Sequence, residues 1–297
     1  MDVMKVRIGI SLGPYATPDG LAAAVGPLEA AGVDSLWLSE VVYGDLVEPL
    51  IGMTYALAKT SSLKVGTGVA VLPGRHPVLV AKELASLAAL APRRVLPVFG
   101  LRPARRNEAA AFPVQGSRAA VFDESLELLR LLLSQDSVTF SGQFFTVQDA
   151  SIGPRPPKPL DIWLGGSAPE GLRRAGRFAD GWLASFLTPA EAAAGREQIQ
   201  AAAAAAGREI EPDHFGISLA VGEITPDFAR AIERRRPGVD PRALAPRTWA
   251  DAREMIGAYI GAGLSKFVVR PAIPPGDGTG IEEFIAEFAR EMLPLQN

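Results

Sequence analysis

The residues best suited to chemistry gather in one stretch: Lys64-Val65-Gly66-Thr67-Gly68-Val69-Ala70-Val71-Leu72-Pro73-Gly74-Arg75-His76-Pro77. The first half is apolar and β-branched, as a strand buried on both faces should be. Gly66 and Gly68 are poor strand formers, so they point to a bulge or to close approach of a backbone or a flat ligand. Arg75 and His76 then stand in a turn, and Pro77 opens the helical run Val78 to Leu90, since proline suits the first helical position. A kinked strand ending in polar residues is where an α/β barrel would hold its active site; a plain strand–loop–helix connection is the structural alternative. An acid, Glu40, closes the preceding strand-like run Asp34 to Ser39.

Other chemistries lack their residues. Cysteine is absent and there are two histidines, His76 and His214, so disulfides, thiolate sites and a Cys nucleophile are excluded and a zinc or two-metal hydrolase has no ligand set. No metal site is expected. There is no Gly-x-Ser-x-Gly elbow to provide an acyl-enzyme nucleophile. A glycosidase needs two facing carboxylates, and Glu40 has no evident partner other than Glu108. What remains suits a bound cofactor that carries the reactivity itself.

These residues must be positioned by a repeating frame. Short apolar runs at Val6 to Leu12, Asp34 to Ser39, Lys64 to Leu72, Val95 to Phe99, Ile162 to Leu164, Gly181 to Phe186, His214 to Val221 and Lys266 to Arg270 read as strands. Helical runs follow, among them Pro18 to Gly32, Glu48 to Lys59, Phe122 to Leu133, Pro169 to Phe178, Pro189 to Ala206, Trp249 to Gly261 and Ile281 to Met292. Spacing of about 30 residues is that of a βα unit, and alternation means parallel strands with helices outside. Eight units predict a (β/α)8 TIM barrel occupying residues 1–297 as one domain. A doubly wound sheet is the runner-up, but no Gly-x-Gly-x-x-Gly follows the first strand. Val138 to Pro159 reads as an irregular excursion and Glu233 to Pro246 as a surface one.

In such a barrel the chemistry lies just after each strand. The expected rim is Gly13, Glu40, Val71 to His76, Arg102, Gly165 to Ser167, Ser185, Glu223 and Arg270. A net charge of −3, with 48% hydrophobic and 21% charged residues, gives no electrostatic case for nucleic acid or a membrane surface. No run has signal-peptide or transmembrane length, and a cytoplasmic protein is expected.

Several stretches resemble the luciferase-like monooxygenase superfamily, in particular its coenzyme F420-dependent oxidoreductases. They are Ala31 to Glu40, Val65 to Pro77, Leu90 to Gly100, Asp161 to Gly166 and Arg174 to Trp182. The resemblance implies a luciferase-like TIM barrel with loop insertions, a homodimer, and a small-molecule substrate. It implies a non-prolyl cis peptide at Gly68-Val69, in a bulge backing the cofactor's central ring with Ala70; a trans glycine bulge is the alternative. Glu40 matches an acid at the ring edge, and Gly165, Gly166 and Ser167 match a loop holding the cofactor phosphate at a helix N-terminus. Asn107 matches a polar cofactor contact. Arg75, His76, Arg102 and Arg270 are candidates for substrate or phosphate.

One departure stands out. Relatives often carry a proton-transfer histidine after the second-strand acid, and here that position is Val41. Oxidising an alcohol needs a base for its hydroxyl proton, so Val41 favours a reductase, with Glu40 or Tyr43 as the acid. The cofactor expected is F420. An FMN-dependent monooxygenase and a non-catalytic deazaflavin-binding barrel are the alternatives.

Overall fold

The computed structural model describes residues 4–156, 158–272 and 280–297. Its strands are β1 (Arg7–Ser11), β2 (Ser35–Leu38), β3 (Lys64–Thr67), β4 (Ala70–Val71), β5 (Val95–Leu96) and β6 (Val98–Gly100). They continue with β7 (Val138–Ser141), β8 (Thr146–Ala150), β9 (Trp163–Gly165), β10 (Gly181–Ser185), β11 (Phe215–Val221) and β12 (Lys266–Pro271). Among the described residues the helices are α1 (Pro18–Ala30), α2 (Pro49–Lys59), α3 (Pro77–Leu90), α4 (Arg118–Ser134) and α5 (Pro169–Phe178). After these come α6 (Pro189–Ala205), α7 (Pro226–Arg235), α8 (Trp249–Gly261) and α9 (Gly280–Met292).

The sheet is a (β/α)8 barrel. Its strands run in the order β4-β6-β9-β10-β11-β12-β1-β2-β3-β5, all parallel. β3 and β4 are one stave broken at Gly68-Val69, and β5 and β6 are one stave broken at Pro97. Because β3 pairs with β5 and β4 with β6, the third and fourth staves close the ring. Thr67 pins the seam: its hydroxyl donates to Val98 O (2.6 Å) and accepts from Val98 N (2.8 Å). Pro97, which has no N–H to place in a ladder, marks the break in the fourth stave.

Helix starts follow a local rule. Thr17-Pro18, Glu48-Pro49, His76-Pro77, Thr188-Pro189 and Thr225-Pro226 each set a capping side chain before a proline at the first helical position. The cap accepts a free backbone N–H and the proline lacks one, so both reduce the orphan donors of a helix start. The larger core lies between strands and helices, and Trp37, Val98, Trp163, Leu183 and Val268 form a second cluster.

Two excursions differ from expectation. The stretch read as irregular contains an antiparallel hairpin, β7–β8. The Glu124 carboxylate on α4 holds its turn, accepting the N–H groups of Gln143, Phe144 and Phe145 at 2.7–2.9 Å. Its strands are largely exposed, so they lack the apolar alternation that reveals a strand. The segment read as a surface excursion begins in α7, and Ile232, Leu244 and Ala245 build a small core of their own with Phe186 and Phe228 packed on it.

Candidate active site

The broken third stave is tied to the end of β2 bond by bond. The Gly68-Val69 peptide is cis. Gly68 N donates to Leu38 O (2.7 Å), Ser39 Oγ to Gly68 O (3.0 Å) and Glu40 N to Val69 O (3.3 Å). Glu40 then turns its carboxylate back, and Oε2 accepts Val71 N–H at 2.6 Å. Every one of these groups would otherwise be a bulge orphan, so the sequence Leu38-Ser39-Glu40 is what makes the bulge affordable.

The bulge turns Val69 into a cavity of about 550 Å³ at the C-terminal end of the barrel. Two neighbouring strands must offer no side chain to accept it. A Cβ at Gly100 would lie 2.7 Å from Val69 Cγ2, and one at Gly165 would lie 2.8 Å from Val69 Cγ1. Beyond Gly165 the cavity wall continues through Gly166 and Ser167 to the start of α5. Gly166 has φ +102° with open space where a Cβ would be, and its carbonyl accepts Trp182 Nε1–H at 2.7 Å. Among α1 to α8, α5 alone starts without a side-chain cap. Its orphan N–H groups and dipole are therefore left for an anion.

Glu40 is buried at the edge of this cavity and also borders a second cavity of about 390 Å³. Arg75 ion-pairs with its Oε1 while donating from Nε to Val71 O at 3.1 Å. Burial pushes the Glu40 carboxyl up, with Val71 N–H and the Arg75 guanidinium pulling against it. Arg75 is also 3.7 Å from Glu48, which caps α2.

Glu40, Gly68, Val69, Arg102, Gly165, Gly166, Ser167 and Arg270 thus share one cavity wall. The other expected residues lie elsewhere. Ala70 is buried in the outer core and pairs with Phe99, because the residue after the bulge points away from the cavity. Arg75 serves Glu40 and lines the second cavity. His76 is exposed, caps α3 through Nδ1 (3.3 Å from Val78 N) and meets Phe145 edge-on at 5.5 Å. Tyr43 is exposed on the loop after β2 and its N–H is held by Glu108 Oε1 at 3.1 Å.

Asn107 faces solvent in a turn of 3-10 helix, and its neighbour Glu108 is the one that turns inward. Glu108 is fully buried, takes the N–H groups of Val42 and Tyr43 on Oε1, and has no partner for Oε2 among the described residues. Residues that sequence reasoning missed are Arg235 and Arg236 of the α7 region, which line the main cavity with Phe186. Their signal was the Arg-rich run itself. Among the described residues no group of three or more His, Asp or Glu could hold a metal, and no helix is long and apolar enough to cross a membrane.

Residues 3–254 match the family described as luciferase-like monooxygenase. The chain belongs to that family. It is 31% identical over 175 residues to an F420-dependent glucose-6-phosphate dehydrogenase of Kineococcus radiotolerans, covering 56% of this chain and 52% of that one. The chain therefore spans about half the length of that curated relative. An F420-dependent secondary alcohol dehydrogenase, solved with an F420–acetone adduct, superposes with a TM-score of 0.80 at 18% identity over 99% of this chain and 100% of that one. The oxygenating constituent of a type II Baeyer–Villiger monooxygenase from Pseudomonas putida, solved with FMN, gives 0.75 at 17% identity over 99% of each. At these identities the two likenesses speak for the luciferase-like barrel fold.

Proposed function

We propose that this chain is an oxidoreductase that binds coenzyme F420 in the main cavity and exchanges hydride between it and a small organic substrate. The observation that carries the reading is the continuous wall from the Val69 bulge, seated between Gly100 and Gly165, to the uncapped start of α5. A flat ring fits against the former and a phosphate against the latter. The name of the Kineococcus relative favours the deazaflavin over FMN.

In this reading Val69 backs the ring, and Gly165, Gly166 and Ser167 hold the phosphate. Glu40, fixed by Val71 N–H and Arg75, presents its carboxylate at the ring edge. Bound F420 supplies the carbon that gives or accepts hydride. The protein's tasks are to bind, to orient, and to handle a proton. Val41 offers no base where relatives often have histidine, and Tyr43 stands exposed, so Glu40 is the proton-handling candidate. This favours reduction of an electron-poor C=C or C=N over alcohol oxidation.

Exposed Ile51 and Tyr55 on α2 and Leu79 and Leu90 on α3 support a homodimer through these helices. Sedimentation is expected to give a dimer, and Ile51→Lys with Leu79→Lys a monomer; a wild-type monomer would sink that part. The catalytic reading is tested by mixing reduced F420 with electron-poor alkenes and imines under nitrogen. Acceptor-dependent return of the oxidised cofactor's absorbance is expected. Cofactor binding with no turnover across both classes would leave a binding protein.

A further inference from the structure

The main cavity is lined by four arginines, Arg102, Arg235, Arg236 and Arg270, and one acid, Glu40. Glu40 is already taken by Arg75 from behind. The chain as a whole carries a net charge of −3, so this concentration of positive charge is local. Several arginines shielded from solvent have carboxylates: Arg174 has Asp123, Arg208 has Asp180 and Arg236, on this same cavity, has Glu191. Arg94 and Arg118 are satisfied by carbonyl oxygens, and Arg196 rests on the Phe215 ring. What sets exposed Arg235 and half-buried Arg270 apart is that they stand together on one cavity. Neither forms an ion pair with any described residue, and Arg270 makes one described hydrogen bond, from Nη1 to Pro271 O of its own chain neighbour (3.3 Å).

Both guanidiniums are held by ring faces instead. Arg235 lies 5.1 Å from the Phe186 centroid and Arg270 5.6 Å from that of Phe228. Burial, and then the Arg235 charge, pull Arg270 down to about 10. It is still a cation at neutral pH. Two like charges facing one cavity repel, and an oxyanion between them would relieve both, with planar forks suited to carboxylate or phosphate. The pair is also distant round the barrel from the Gly165–Ser167 loop: Arg270 leaves β12, three strands on from β9.

We propose that Arg235 and Arg270 form an oxyanion site for the substrate, so that the compound meeting the cofactor carries a carboxylate or phosphate on the α7 side of the mouth. This rests on the functional reading above in taking the remainder of the cavity for the cofactor. The competing source of the anion is the cofactor itself.

The test is calorimetric titration of the F420-loaded protein with inorganic phosphate, against sodium chloride of equal ionic strength, for wild type, Arg235→Ala and Arg270→Ala. Wild type is expected to bind phosphate with a Kd on the order of a millimolar and each variant at least about tenfold more weakly. F420 affinity, followed separately by fluorescence, is expected to stay within about twofold in both variants. Equal phosphate binding by all three proteins would overturn the proposal. So would variants that lose affinity for F420 but not for the same deazaflavin lacking its phosphate, since the anion would then be the cofactor's. Melting temperature supplies a further check. Relief of repulsion predicts that each variant melts no lower than wild type without phosphate, and a clear fall for both would make the pair structural. If F420 binds none of the proteins, the earlier reading fails, and the phosphate titration of the cofactor-free protein still decides this one.

Discussion

At the N-terminal ends of the strands, Asp34 accepts Lys64 Nζ at 2.6 Å and Lys266 Nζ at 3.1 Å, with Arg7 at 3.8 Å. Asp180 there takes Arg130 at 2.6 Å and Arg208 at 2.9 Å. At the C-terminal ends, Arg102, Arg235 and Arg270 line the cavity with no carboxylate of their own among the described residues. One end satisfies its charges internally; the other, beside the Arg75–Glu40 and Arg236–Glu191 pairs, leaves three arginines facing the cavity. This is the division of labour expected of a barrel whose lower face stabilises and whose upper face reacts.

The largest test of the comparison is Asp34→Ala. It would leave Lys266 buried on the face of Trp37 (5.7 Å) without its counter-charge, and losing one partner of a buried pair costs about 3–5 kcal/mol. Urea unfolding should show that loss with unchanged cofactor affinity; a loss under about 1 kcal/mol would break the claim that the lower end is held by its charges. The same pair has a pH signature. Burial raises the Asp34 carboxyl, but Lys266 and Lys64 outweigh it and hold it at about 2. Its folded value is thus below its unfolded one, so its contribution of about 2 kcal/mol is present above about pH 4 and lost as pH falls toward 2. Acid unfolding of Asp34→Asn should lack that component.

At the upper end the effects should fall on binding. Glu40→Gln is expected to weaken the cofactor about tenfold or more, the worth of one hydrogen bond to a charged group. Unchanged affinity would remove Glu40 from the ring edge. Gly166→Ala is the smallest: about 1 kcal/mol of strain at φ +102°, with a modest loss of cofactor affinity. A stability loss with no change in affinity would detach that loop from the phosphate.

The barrel was legible because its strands are apolar, spaced by βα-unit lengths and followed by helical runs, several of them opening on a proline. The Gly68-Val69 bulge was legible from glycines that a buried strand would not otherwise keep. Individual contacts were not. Arg75 looks like a free cation in sequence, yet it folds back 35 residues to Glu40. His76 reads equally as a site residue and as a loop-to-helix packing residue, and it caps α3. The resemblance points to Asn107 as a polar cofactor contact, whereas the 3-10 turn buries its neighbour Glu108. The α7 arginines were hidden for a different reason. Helix α7 buries only Ile232, with Phe228 one turn earlier packed beside it, so its apolar stripe is two residues long and easily passed over among the arginines, and its reach into the cavity depends on the small core under it.

The most direct measurement is a side-by-side fluorescence titration of the purified protein with oxidised F420 and with FMN. The account predicts that F420 binds at about micromolar Kd and FMN at least about tenfold more weakly, with Gly165→Val abolishing F420 binding by filling the space Val69 occupies. Tighter FMN binding would move the chain to the flavin-dependent branch of its family, and binding of neither would contradict the cofactor site itself.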